Sequence, residues 1–237
     1  MSGRGGGRVL LWLALLALAA GACRPAGGPP PAEPTRQAGP PLEPLQVVYV
    51  AKSAALLPYF IAREEGAFSR NGLSVEFQQL PDADTAYTYL LTSAAQVYLA
   101  PLDGTLIARA ANGIDLALLG GQPDLAMVTL RPLLAMREPI MERFLRGVLE
   151  GIHTVETRPE RGQTLLAREG LSASDAGAAL ARLERVPYLS ADDLAPLIAA
   201  GAAADPRAAA LDPNRLLEQN VLRRLEASGF VAALYRA

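Results

Sequence analysis

The sequence predicts an α/β fold in which a mostly parallel sheet, covered by helices on both faces, leads into a helical C-terminal region. Short apolar runs rich in β-branched residues alternate with helix-length segments from residue 46 to 119. Turn and stop signals at Gly66, Asn71-Gly72 and Gly113 separate them, and past residue 139 the apolar spacing becomes helical. Strands that alternate with helices cannot be joined by tight hairpins, so they pair in parallel, and the crossover helices cover both faces.

Taken in order, residues 46–51 (QVVYVA) have the length and β-branched content of a buried strand. A helix is expected over 56–65, with Pro58 in its first turn and Gly66 as its stop. Asn71-Gly72 marks a turn, and 74–79 (SVEFQQ) opens with the alternation of a strand. Asp82 and Asp84 are suited to cap a helix running to 93; a third strand is expected at 96–100, a helix at 105–112 and a fourth strand at 115–119. Residues 126–130 suit one more strand. Met141, Phe144, Leu145, Val148, Leu149 and Ile152 keep helical spacing from Pro139 to Arg158, and further helices are expected at 159–169, 174–184, 192–200 and 213–226. The alanine tracts at 199–204 and 208–210 favour helix but offer little side chain to bury, which predicts loose packing there.

Composition narrows the function classes. The chain has 237 residues, 51% of them hydrophobic and 19% charged, with a formal net charge of −2. That balance excludes a disordered chain and a basic, nucleic-acid-binding one. One cysteine allows no internal disulfide, and one histidine leaves too few ligands for a zinc or iron–sulfur site built from His and Cys. No cofactor and no metal is expected: the sequence has no Gly-rich phosphate loop, G-x-S-x-G elbow or H-E-x-x-H motif.

The N-terminus reads as an export signal over 1–22, with Arg4 and Arg8, the apolar run 9–20 and small residues before Cys23. The run is well short of the roughly 20 residues a membrane-spanning helix needs. Ala20-Gly21-Ala22-Cys23 resembles the lipobox of bacterial lipoproteins, which implies lipidation at Cys23 and a place in the cell envelope, outside the cytoplasm; the alternative is a small residue in an ordinary signal peptide. Residues 23–45 carry 8 of the 19 prolines and read as an extended tether. The folded part then divides into an α/β lobe over 46–127 and a helical region over 128–237.

The strand VVYVAKSAA, the helix LLPYFIAREEGAF, the turn SRNGLSVEF and the stretch SAAQVYLAPLDGTLIARAANGIDLALLGG together resemble the first lobe of bacterial solute-binding proteins of the aliphatic sulfonate, nitrate and thiamine-pyrimidine-precursor class. MERFLRGVLEGIHTVETRPE and ALDPNRLLEQNVLRRLEASGFVAALY resemble the family's C-terminal helices. The resemblance implies a periplasmic-binding-protein-like (type II) first lobe, no catalysis, a small solute as ligand, and an ABC permease and ATPase as partners. In such receptors the chain leaves the first lobe after the fourth strand to build a second α/β lobe. Here residues 120–124 run almost directly into 129–139, so the second lobe is expected to be reduced or absent. Two other readings remain: a shortened relative acting as an interaction lipoprotein, and an enzyme like the eukaryotic thiamine-pyrimidine synthases, whose cysteine-rich motif this chain lacks.

Ligands of open α/β sheets bind at the carboxyl ends of the strands. That rule selects Lys52, Ser53 and Ala54 after the first strand, Asp82 and Asp84 after the second, Pro101, Leu102 and Asp103 after the third, and Gln122 after the fourth. Lys52 is the sole lysine and suits a sulfonate or carboxylate; it reads equally as a surface residue of an arginine-biased chain. Ser53, Asp82, Asp84 and Asp103 also read as helix caps. Tyr87 and Tyr89 cannot share a helix face. His153 and Glu156, three residues apart, read as a surface pair or an acid–base dyad.

Overall fold

A computed structural model describes residues 41–236 except 123, 171–176 and 178–180. The expected signal peptide, Cys23 and most of the tether lie outside the described residues, as does most of the helix expected at 174–184. No helix among the described residues is long and apolar enough to cross a membrane.

The first strand, β1 (Glu43–Tyr49), starts three residues ahead of the expected point, inside the segment read as tether. Pro44 is tolerated because β1 meets β3 only at residues 47–49, so the proline lies where the strand has one neighbour rather than two. A 3-10 turn (Ala54–Leu56) leads into α1 (Leu57–Glu64), which Gly66 closes at φ 69°, and α2 (Ala67–Arg70) precedes β2 (Leu73–Gln79). Then come α3 (Ala83–Leu91), β3 (Val97–Pro101), α4 (Gly104–Ala111), β4 (Leu116–Gln122) and β5 (Leu125–Leu130).

These strands form one five-stranded sheet in the order β2-β1-β3-β5-β4. β1 pairs in parallel with β2 and β3, whereas β5 runs antiparallel to both β3 and β4. Gln122 pairs with Leu125, so only two positions of the sequence separate β4 from β5. It is the only sheet among the described residues. Gln122, expected in the loop beyond β4, is instead the last residue of that strand.

Alternation of apolar residues along β1, β3, β4 and β5 builds two cores. Val47, Leu99, Leu119 and Met127 face one layer; Val48, Tyr98, Leu118 and Val128 face the other. The first layer is formed by α1, α2, α5 (Arg131–Thr157), α6 (Pro159–Arg168) and the closing helices; the second is formed by α3, α4 and α7 (Ala191–Ala204) with the 3-10 turn Pro206–Ala210.

Two elements differ from expectation. α5 begins at Arg131 rather than near Pro139, because Pro132 in its first turn starts the helix earlier; Arg137, at φ −127°, kinks it just ahead of Pro139. The helix expected over 213–226 is broken into α8 (Pro213–Leu216) and α9 (Asn220–Ala227), followed by α10 (Phe230–Leu234). At the break Leu217 bridges to Leu118, and the Glu218 N–H donates to the Leu118 carbonyl at 2.9 Å. Gln219, 1% exposed, donates its amide to the Leu189 carbonyl and accepts from the Leu189 N–H. Local helix propensity yields here to covering the free edge of β4, which would otherwise present unpaired backbone groups. Residues 187–189 line the same edge: the Gly121 N–H donates to the Pro187 carbonyl at 2.8 Å, and a Cβ on Gly120 would sit 2.5 Å from that oxygen. α7 fully buries only Leu194, but the loose packing expected of the alanine tracts is not found throughout: a Cβ on Gly201 would lie 2.9 Å from the Ile107 side chain, and Ala208 is buried, because small residues let α7 and the following turn approach α4 closely.

Candidate functional site

The sheet order sets the carboxyl ends of β1 and β2 side by side, and those of β3 and the β4–β5 turn beside each other. The Leu80 N–H donates to the Tyr49 carbonyl at 2.8 Å, and the Gln79 amide to the Val50 carbonyl at 3.0 Å, which ties the first two ends. The Leu102 N–H donates to the Asp124 carbonyl at 3.2 Å, which ties the other two. All nine strand-end residues selected from the sequence therefore lie along one edge of one sheet.

Their side chains have separate commitments. Lys52 Nζ lies 2.6 Å from Glu169 Oε2, where Glu169 forms the C-cap of α6. That hydrogen bond and its charge raise the Lys52 ammonium above the ordinary lysine range and hold the Glu169 carboxyl below the usual carboxylate range. Ser53 occupies the N-cap position in extended conformation, yet its hydroxyl makes no capping bond; the cap reading holds for its backbone alone. Ala54 is buried at the start of the 3-10 turn.

Asp82 caps α3 by accepting from the Thr85 N–H at 2.7 Å, and this bond lowers its pKa. Asp84 is no cap: it stands in the first turn of α3 and pairs with Arg109 of α4. Asp103 caps α4 through the N–H groups of Thr105 at 2.8 Å and Leu106 at 3.4 Å. Burial, with Asp103 and Asp82 nearby, pushes the Tyr98 phenol up to about 12. Pro101 and Leu102 are half-buried, and Gln122 is 5% exposed. Tyr87 is core, edge-on to Tyr98 at 5.3 Å between ring centroids, while Tyr89 is half-buried at the margin of the same layer.

Sequence reasoning missed Glu169, Arg109, Arg63 and the Arg182–Asp124 pair at 3.1 Å. The Arg63 guanidinium lies over the rings of Phe60 and Phe77, 5.2 and 5.5 Å from their centroids. Glu169, Arg109 and Arg182 each meet a partner far away in sequence, so no spacing signal marks them; only Arg63 over Phe60, three residues apart on α1, had a local signal. A row of strand-end groups results in which Lys52 stands at the β1 end and carboxylates stand toward β2 and β3.

His153 and Glu156 do not form a dyad. The imidazole packs edge-on against Tyr235 at 4.7 Å between centroids, and Tyr235 donates its hydroxyl to Glu156. A surface groove of about 620 Å³ opens at the opposite end of the sheet, beside Asp115 and Leu216, away from the strand-end row. Arg131 staples its walls, pairing with Asp115 at 3.2 Å and Glu218 at 2.8 Å. These bonds leave that guanidinium engaged with the fold itself.

The strand order and helical covering define the periplasmic-binding-protein fold, and solved structures of that fold resemble this chain. One is a Candida albicans gene product described as defining a new family with the generic periplasmic binding protein structural fold; it is 12% identical at a TM-score of 0.58, covering 75% of this chain and 97% of its own. The periplasmic aliphatic sulphonate binding protein SsuA of Escherichia coli is 11% identical at 0.57, covering 76% and 99%. The alkanesulfonate-binding SsuA of Xanthomonas axonopodis pv. citri, bound to MOPS, is 10% identical at 0.54, with the same coverage. No protein-family profile matches the chain, and no curated protein matches it in sequence.

Proposed function

We propose that this chain is the extracytoplasmic, lipid-anchored substrate-binding component of an ABC importer for a small organic or anionic solute of the sulfonate, nitrate or thiamine-pyrimidine-precursor type. The observation that carries the reading is the strand-end row: Lys52, Ser53, Asp82, Asp103 and Gln122 share one edge of a sheet whose fold also serves sulfonate-binding proteins. Open α/β sheets take ligands at that edge. Lys52 supplies the charge for an anionic group, and the Ser53 hydroxyl, which makes no capping bond, supplies a hydrogen bond. Cys23 would carry the lipid, the proline-rich segment would hold the folded part off the membrane, and a permease with its ATPase would receive the solute.

One observation favours a second reading. Only two positions separate β4 from its partner β5, at the place where the resembling receptors would leave for their second lobe. A receptor of this kind buries its solute by closing two lobes on a hinge, and one lobe alone makes about half the contacts. On this reading the chain is a shortened relative that acts as an interaction lipoprotein without transport. Thermal unfolding of the exported form in the presence of sulfonates, nitrate, bicarbonate, pyrimidines and amino acids separates the two. Solute capture predicts that at least one compound raises the unfolding temperature, since a ligand at a hundred times its Kd adds about 2.7 kcal/mol. A flat response to the whole set overturns capture and leaves the second reading.

A further inference from the structure

The position best suited to a solute's anionic group is already occupied by a carboxylate of the chain itself. Lys52 is the only lysine in the protein, and its ammonium lies 2.6 Å from Glu169. Glu169 arrives from far along the sequence, at the end of α6, a helix that packs against α1 and α5. The carbonyls ending α6 carry partial negative charge, which adds to the attraction for the ammonium and to the repulsion of any incoming anion. Arg63 and Arg168 lie near enough to help hold the Glu169 carboxyl down, behind the direct Lys52 contact.

We infer that Glu169 is a resident competitor at the Lys52 position, so that an anionic solute docks there only by displacing the end of α6. This rests on the strand-end docking proposed above. The pair suits displacement: the Lys52 side chain is 38% exposed and that of Glu169 19%, and ion pairs open to solvent are weak. Displacement exchanges one carboxylate–ammonium contact for another of the same chemistry and detaches α6 from the carboxyl end of β1. Solute occupancy is thereby linked to the attachment of a helix outside the sheet.

The test is titration calorimetry with ethanesulfonate, nitrate and acetate on the wild type and on Glu169→Gln, Glu169→Ala and Lys52→Gln. Removing the competitor is expected to tighten anion binding by about two- to fivefold, the worth of an exposed ion pair. Lys52→Gln is expected to weaken binding, and Glu169→Gln added to it should recover nothing. Measurable binding by the wild type that neither Glu169 variant tightens overturns the competitor while leaving strand-end docking intact. No binding of any of the three anions to any form overturns both. A measurement on the unaltered protein guards against a variant that fails to fold. With a single lysine, isotope labelling of lysine gives one side-chain NMR signal, which must move along the calorimetric isotherm as the anion replaces Glu169. Binding that leaves this signal still overturns the inference.

Discussion

Tyr59 lies in the layer shared by α1 and α5, 1% exposed, and its hydroxyl has no hydrogen-bond partner among the described residues. Burial raises its pKa, so the phenol stays neutral, and an unpaired buried hydroxyl carries a desolvation cost. Tyr59→Phe is therefore expected to match the wild type or to exceed it by up to about 1 kcal/mol in urea unfolding. A clear drop in the midpoint would mean that the hydroxyl is satisfied. The strand-end residues show how far residue-level reading reaches. Asp82 and Asp103 were legible as helix caps because capping chemistry depends on near neighbours. Glu169 was not, because its contact with Lys52 spans 117 positions and no periodicity encodes it. The Asp84 cap failed for a related reason: Arg109, one crossover away, offers a charge that the α3 backbone does not.

The packing of α5 on α1 depends on a small residue at the crossing. A Cβ on Gly151 would lie 2.2 Å from the Pro58 carbonyl oxygen and 2.9 Å from the Ala62 Cβ, so the helices could not keep their approach. Gly151→Ala is expected to destabilise the fold by about 1–3 kcal/mol, outweighing the gain in helix propensity of about 1 kcal/mol. Gly104→Ala, with nothing within 4 Å of its Cβ, serves as the control and is expected to be neutral or stabilising by the same denaturation assay. Most elements of the α/β lobe were legible because buried parallel strands and amphipathic helices have periods that a single chain displays. The antiparallel sense of β5 was not, since 126–130 reads as a strand whichever way it pairs. The break at 217–219 was equally hidden: an amphipathic pattern runs through it, and only the uncovered edge of β4 overrides that pattern.

Two cores on opposite faces of one sheet draw on the same strands, so neither layer can be lost without exposing the back of the other. The expectation for the molecule is one cooperative unfolding transition, with helical circular dichroism and tyrosine environment changing together. Two separated transitions would show that the layers unfold independently. The position of β5 also bears on how the chain assembles as it emerges. β1, β2 and β3 can pair once residue 101 is available, but β3 then offers an open, apolar flank until the β4–β5 hairpin arrives to seal it. The outer side of β4 waits longer still, until Pro187 reaches Gly121 and then Leu217 and Glu218 reach Leu118. A chain interrupted between these points would present a sticky strand to its neighbours, so protection against edge-to-edge pairing matters from residue 102 until residue 218 is in place.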